Sequence, residues 1–308
     1  MMRIAVCALT YLRPNGLQRL LEHLRVLEKP VDVELAIVIV DNDPAGSAAD
    51  AVRRERDISP FEVVYRVEAR RGIPSGRNTA VSAALEWGAD FVAFIDDDEW
   101  PDPDWMQQLW ATQVSTGADV VTGPVFPVFD EPPPEWVITG GFFERPRFEH
   151  NEEIEWATTS SVLIARACFE FFDEPFDRGF GLTGGDDTHF FAQLHDAGFS
   201  IRWCETATVY EAIPASRVDV GWLVRREYRR GQTLSLSLRR RDRRVSRVVR
   251  RAVNAGLHLV RGLIQLLLGL PRGRAHWLHG AKSIALGSGM LTGLAGRQYQ
   301  EYQTIHGS

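Results

Sequence analysis

Apolar positions in the first 125 residues fall into short blocks separated by polar turns. Residues 3–9 (RIAVCAL) form an apolar run suited to a buried strand. Leu17, Leu20, Leu21, Leu24 and Leu27 then recur at helical spacing behind Asn15, which predicts a capped helix over 15–29. A continuous β-branched run, VELAIVIV (33–40), ends at Asp41-Asn42-Asp43-Pro44, and EVVYRV (62–67) reads as a third strand. Arg77 to Trp87 reads as a helix, and FVAFI (91–95) as a strand that stops at three aspartates. Asp102 is placed to cap a helix containing Trp105, Leu109 and Trp110, after which DVVTG (119–123) returns as a strand. Strands apolar on both faces belong to parallel sheets covered by helices on both sides. The alternation predicts a doubly wound, mostly parallel α/β sheet.

Beyond residue 124 the texture changes. Residues 124–157 carry Pro132-Pro133-Pro134, several aromatics and several acids without a sustained period, and read as a long surface connection. SVLIA (161–165) resumes the sheet, Asp186 to Ala197 reads as a helix, and a strand pair around 201–211 closes the domain. From Arg217 the chain reads as helical and basic. Residues 252–270 become largely apolar, but Asn254, His258, Arg261 and Gln265 interrupt them. A spanning helix needs roughly 20 mostly apolar residues. This pattern suits a helix lying in a membrane interface, its arginines reaching toward headgroups. The predicted organisation is one domain over 1–231 and a helical, Arg-rich region over 232–308.

Composition supports a globular chain, with 44% hydrophobic and 25% charged residues among 308. The net charge of −6 conceals an asymmetry: residues 217–251 hold thirteen arginines against Asp219, Glu227 and Asp242. Such segregation points to an anionic partner (lipid headgroups, phosphates or nucleic acid) or to a solvated helix face. No nucleic-acid-binding module accompanies the arginines. The N-terminal apolar run is too short for a signal peptide. Cys7, Cys168 and Cys204 show no paired spacing, so a reducing, cytoplasmic setting is expected.

The chemistry concentrates in Asp96-Asp97-Asp98. In open α/β sheets ligands lie beyond the carboxyl ends of the strands, which places this run at a crevice. Adjacent carboxylates repel one another, and hard divalent cations such as Mg²⁺ or Mn²⁺ bind through carboxylates plus substrate phosphates. On an extended chain Asp96 and Asp98 would share one side and Asp97 would face away. Acid runs also cap helices, but Pro101-Asp102 already supplies a helix start. A G-x-G-x-x-G after the first strand is missing, and so is any G-x-S-x-G context for Ser160-Ser161. Asp186-Asp187 could be an ordinary acidic helix N-terminus, although Gly181, Gly184 and Gly185 before it suggest a close-approach loop. His189, His195, His276 and His279 read as structural. Trp136, Trp156 and Phe142-Phe143 suit either a sugar-stacking platform beside Thr158 to Ser161 or ordinary core packing.

Five motifs stand in one order: Thr10-Tyr11-Leu12-Arg13, Val40-Asp41-Asn42, Gly76-Arg77-Asn78, Phe94-Ile95-Asp96-Asp97-Asp98 and Gly185-Asp186-Asp187. In this the chain resembles family 2 glycosyltransferases of the GT-A fold. It is most similar to those that extend lipid-linked oligosaccharides in bacterial exopolysaccharide (succinoglycan-type) assembly. The resemblance spans residues 3 to about 231, and the ending Gly296-Arg297-x-Tyr299-x-Glu301-Tyr302 is also similar to that subgroup.

The resemblance implies an inverting, metal-dependent transfer from a nucleotide-sugar, expected to be a UDP-sugar, to a polyprenyl-diphosphate-linked saccharide at the inner face of the cytoplasmic membrane. Thr10, Tyr11, Arg13, Asp41 and Asn42 would lie around the nucleotide, and Arg77 near the base or diphosphate. Asp96 would contact the ribose beside Asp97, and Asp98, with Asp96, would hold Mn²⁺ or Mg²⁺. Asp187 would be the general base with Asp186 beside it, and which of the two acts stays open at this level. Relatives carry a His after the last core strand, where this chain has Glu211, a carboxylate able to act as a further metal ligand. Arg217, Arg226 and Arg229 would face the diphosphate or remain solvated. A nucleotidyltransferase would show a Gly-rich basic loop after the first strand, which LTYLRPNG does not match. A non-catalytic scaffold would not need the intact acids.

Overall fold

The computed structural model describes residues 1–181, 183–242 and 244–297, so the motif ending from Gln298 onward lies outside the described residues. In chain order the first elements are β1 (Met2–Thr10), α1 (Pro14–Leu24), β2 (Val33–Asp41), α2 (Ala49–Ile58), β3 (Glu62–Val67), α3 (Ile73–Trp87) and β4 (Phe91–Phe94). Next come β5 (Glu99–Pro101), α4 (Trp105–Thr116), β6 (Val120–Thr122), β7 (Val125–Phe129), α5 (Glu135–Gly140), β8 (Val162–Ala165) and α6 (Arg166–Glu170). α7 (Asp186–Ala197), β9 (Ile201–Trp203) and β10 (Val209–Ile213) precede three long helices, α8 (Val220–Arg241), α9 (Val245–Gly269) and α10 (Arg274–Leu294).

The main sheet has seven strands in the order β3-β2-β1-β4-β8-β6-β9. Only β8 runs against its neighbours, antiparallel to both β4 and β6. That reversal matters for the site, because it brings Ser160-Ser161 to the same edge as the C-terminal ends of β1, β2 and β4. Alternate residues of the central strands enter opposite cores, as their pleat requires. Ile4, Val6, Ile37 and Ile39 pack with Leu17, Leu20, Val52 and Trp105 on one face. Ala5, Cys7, Val38 and Val40 pack with Ala80, Ala84, Phe190 and Phe191 on the other.

Several expectations need correction. α1 starts at Pro14, which presets the first turn, and ends at Leu24; Asn15 does not cap it. α2 carried no pattern to announce it, because it buries only Val52 and Glu55, the latter through Arg25 at 2.6 Å. Residues 124–157 are not merely a surface connection, since they supply β7 and α5. β7 joins β5 and β10 in a second, three-stranded sheet, so β9 and β10 are not partners. α8 runs unbroken through position 231, where a boundary was expected, and packs on α7 through His189 and Ser237.

α10 lies between α8 and α9. Its seam with α9 is made by glycines. A Cβ on Gly262 would stand 2.8 Å from the Gly280 carbonyl oxygen, and one on Gly287 2.7 Å from that of Ala255.

Candidate active site

β1, β2 and β4 end side by side, with Thr10 in register with Asp41 and the three aspartates following Phe94. Residues 96–98 do not continue as an extended strand but turn into β5, and the turn changes the expected pairing of side chains. Asp97 and Asp98 both reach Arg13, at 2.8 and 3.2 Å, while Asp96 turns to the opposite side. Thr10 donates its hydroxyl to Asp97 at 2.9 Å. Both Asp97 oxygens are thereby engaged, so this side chain braces the end of β1. Burial pushes its carboxyl up to about 6 against the opposing pull of Arg13. Gly16 in the first turn of α1 permits the approach, since a Cβ there would stand 2.5 Å from the Asp97 carbonyl oxygen.

Asp96 faces the cleft with 44% of its side chain exposed. Ser160 donates to it at 3.3 Å, and Arg77 stands 3.9 Å away. Partial burial pushes its carboxyl up to about 7, Arg77 opposes this, and Asp98 and Asp97 reinforce it. Arg77 is enclosed and donates to Asp186 at 2.8 Å. It therefore ties the end of β4 to the start of α7 from within. Asp186 is 0% exposed, and its second oxygen has no hydrogen-bond partner. Burial raises its carboxyl above the ordinary range, with Arg77 working against the rise. Asp187 is only partly buried and accepts the Thr188 N–H at 2.6 Å, which leaves it the accessible member of the pair. Gly185 precedes them at φ +94, where a Cβ would run into Thr233 of α8.

On the other side of the turn, Arg217 donates to Asp98 at 2.9 Å and to Glu211 at 3.0 Å. Arg145 reaches Glu211 at 2.6 Å and Glu99 at 3.4 Å, the latter only 1% exposed. These pairs decide the fit of the expected cation. Carboxylates are the right donors for Mg²⁺ or Mn²⁺, but Asp98 and Glu211 converge on a guanidinium, and Asp96 points elsewhere. Among the described residues no group of three or more His, Cys, Asp or Glu side chains could hold a metal. In this arrangement the Asp98, Asp96 and Glu211 set does not fit one.

Asp41 and Asn42 shape the rim of the cleft. Asp41 accepts from the Ala48 N–H at 2.7 Å and the Tyr65 hydroxyl at 2.9 Å. Asn42 donates to the Glu68 and Arg70 carbonyls and accepts from the Gly72 N–H, all at 2.8 Å, so its amide is spent on holding the loop before α3. Tyr11 lies under the Arg71 guanidinium at 4.8 Å.

Arg145 lies in a stretch without periodicity, where only its charge among aromatics marks it in the sequence. Phe142 and Phe143 are buried with Trp222, Leu223 and Leu278, so core packing accounts for them. Trp156 stays 40% exposed. His189 is buried, and burial pulls its imidazole down to about 4, which keeps it neutral. The arginines of α8 are less solvated than expected: Arg240 pairs with Asp177 and Arg241 with Asp196.

Acids thus gather at the C-terminal edge of a doubly wound sheet and at the start of α7, where such sheets bind ligands. A family model described as glycosyl transferase family 2 matches residues 5–178, and the chain belongs to that family. Succinoglycan biosynthesis protein ExoM of Rhizobium meliloti (strain 1021) is 34% identical over 230 residues, which cover 75% of this chain and 72% of that protein. Among solved structures, S. aureus TarS 1-349 superposes with a TM-score of 0.55 at 14% identity, covering 97% of this chain and 93% of that one. Its complex with UDP superposes at 0.52 and 16% identity with the same coverage. At such identity these matches speak for the fold, which is GT-A.

Proposed function

We propose that this glycosyltransferase is an inverting enzyme that moves a sugar from a nucleoside-diphosphate donor, a UDP-sugar by preference, to a hydroxyl of a lipid-linked saccharide in surface-polysaccharide assembly. The observation that carries the reading is the Asp96–Arg77–Asp186 bridge. It joins the acidic strand edge that would face the donor to the helix start that would carry the base, with Arg77 and Asp186 separated by 109 positions of chain. TarS has been solved with UDP and with UDP-GlcNAc, which supports a nucleotide-sugar donor. ExoM is a succinoglycan biosynthesis protein, which supports a saccharide acceptor.

In this reaction the acceptor oxygen attacks the anomeric carbon opposite the diphosphate. A new C–O bond forms as the bond to the diphosphate oxygen breaks and its electron pair leaves with the diphosphate. One displacement inverts the centre. Asp187, accessible at the start of α7, takes the acceptor proton. Asp186, buried on Arg77, is a positioning residue that fixes the backbone bearing Asp187. In the donor-bound enzyme Asp98, released from Arg217, would offer a carboxylate to Mn²⁺ or Mg²⁺.

We also propose that the protein works on an anionic membrane surface. α9 presents Val249, Val253, Leu257, Val260, Ile264 and Leu267 in one stripe, each more than half exposed. By length and composition alone Val245–Arg272 could cross a membrane. The polar positions beside the stripe favour a helix lying in the interface, where each basic residue near anionic lipid adds about 1 kcal/mol.

Purified protein should release nucleotide from one member of a UDP- and other nucleotide-sugar panel when given a saccharide acceptor, with inverted product stereochemistry by NMR. Failure of every nucleotide-sugar to bind in calorimetry, with and without Mn²⁺, would sink the reading.

A further inference from the structure

Asn254, His258, Arg261 and Gln265, the residues that interrupt the apolar character of α9, follow one another at helical spacing. They form a polar stripe beside the exposed apolar one. His258, Arg261 and Gln265 of that stripe line one wall of an open-sided cavity of about 570 Å³ between α8, α9 and α10. Arg261 and Arg272 contribute from the α9 side, Lys282 from α10 and Arg230 from α8, against a single carboxylate, Glu227. Glu227 is shared by Lys282 at 3.5 Å and Arg230 at 3.6 Å, so one negative charge serves two cations. His258, His276 and His279 add further ring nitrogens. Burial, followed by the charges of Lys282 and His276, pulls the His279 imidazole below its ordinary value, as expected where positive charge is in excess.

The cavity has the charge, size and wall chemistry of a polyanion site, and it opens beside the face of α9 that would touch lipid. A relay of ring contacts links it to the active site. His279 packs on Phe142 at 4.9 Å, the adjoining Phe143 stacks on Trp222 at 5.9 Å, and Trp222 lies 5.9 Å from the guanidinium of Arg217, which holds Asp98.

We propose that this cavity binds the diphosphate headgroup of a membrane lipid whose hydrocarbon chain lies along the exposed stripe of α9. This rests on the membrane docking proposed above and names the lipid chemistry that the docked protein recognises.

The test compares co-sedimentation of the full chain with vesicles of phosphatidylcholine doped with farnesyl diphosphate and with vesicles brought to equal surface charge by phosphatidylglycerol. Titration with inorganic pyrophosphate represents a free anion. The expected result is at least tenfold tighter binding to the diphosphate vesicles than to either alternative. Arg261→Gln with Arg272→Gln, both exposed positions, should abolish the preference. Arg247→Gln with Arg250→Gln removes the same charge elsewhere on α9, and should weaken binding to both vesicles while keeping their ratio. Equal binding to vesicles of equal charge, or a preference that survives the cavity variant, overturns the proposal. Pyrophosphate binding as tight as diphosphate vesicles would assign the cavity to a soluble anion and overturn the lipid. A chain that binds no anionic vesicle would remove the docking reading, and its pyrophosphate titration would still judge the cavity.

Discussion

Arg77→Gln removes the one cation that Asp186 touches among the described residues, in a place where water cannot replace it. The pair is 2.8 Å apart, Asp186 is 0% exposed, and its other oxygen is unpartnered. Breaking a buried pair by removing one member costs about 3–5 kcal/mol, because the remaining charge is left uncompensated. Glutamine recovers part of this through one neutral hydrogen bond, worth about 1 kcal/mol, so a loss of about 2–4 kcal/mol is expected at pH 8. The sign of the pH dependence follows from linkage. Without Arg77 the folded-state pKa of Asp186 rises further above its unfolded value. Stability is then lowest above the folded pKa and returns as pH falls through it toward the unfolded value. Urea unfolding followed by tryptophan fluorescence should therefore show a large midpoint shift at pH 8 and a smaller one at pH 5.5. Adding Asp186→Asn removes the stranded charge and should restore most of the loss. A shift below about 1 kcal/mol at pH 8, or one of equal size at both pH values, would refute the claim that Arg77 chiefly compensates Asp186.

Other outcomes follow from the same geometry. Asp187→Asn should reduce turnover by about 10²–10⁴ while leaving donor affinity within a few-fold, as read by paired kinetics and calorimetry; unchanged turnover would move the base elsewhere. Gly16→Ala forces a Cβ against the Asp97 backbone; overpacking of this kind costs about 1–3 kcal/mol, measurable as a lowered melting temperature, and an unchanged value would mean that α1 shifts freely. Arg217→Gln removes the guanidinium that Asp98 and Glu211 share, leaving Asp98 on Arg13 and Glu211 on Arg145, so Mn²⁺ should bind more tightly to the variant than to the parent in calorimetry; equal or weaker binding would show that these carboxylates are not cation ligands. Leu257→Asn with Ile264→Asn alters the exposed stripe alone and should reduce co-sedimentation with anionic vesicles without changing the melting temperature. Undiminished sedimentation would place the contact elsewhere.

The central strands were legible because each is a continuous β-branched or apolar run, and burial on both faces leaves such a run little alternative. α7 was legible to the residue, since Gly185 and Gly198 bracket it with positive φ. α2 was not, because its buried contact is an ion pair and not an apolar stripe. The second sheet was hidden as well: β5 and β7 are short and rich in proline and aromatics, and only their pairing with β10 makes them strands. Among site residues, position along the strand edge could be read from sequence, but orientation could not. The turn at 96–98 depends on Gly16, Thr10 and Arg13 acting together, so Asp97 and Asp98 share a partner that an extended chain would have denied them. Arg145 and Arg217 lie 66 and 6 positions from Glu211, and only the fold brings the three together.

The glycine seam between α9 and α10 bears on what happens to these helices when their surroundings change. Helices joined by interlocking leucines are held largely by the exclusion of water, and that force fades when hydrocarbon replaces the water. Here the two backbones approach so closely at Gly262, Gly280 and Gly287 that dispersion between main chains does much of the holding, as it does between helices inside bilayers. On the proposed membrane surface the hairpin would keep its shape in an oily solvent as in an aqueous one. A rigid blade docked in that way would transmit the depth and tilt of the membrane to α8, and through α8 to the glycine turn before Asp186.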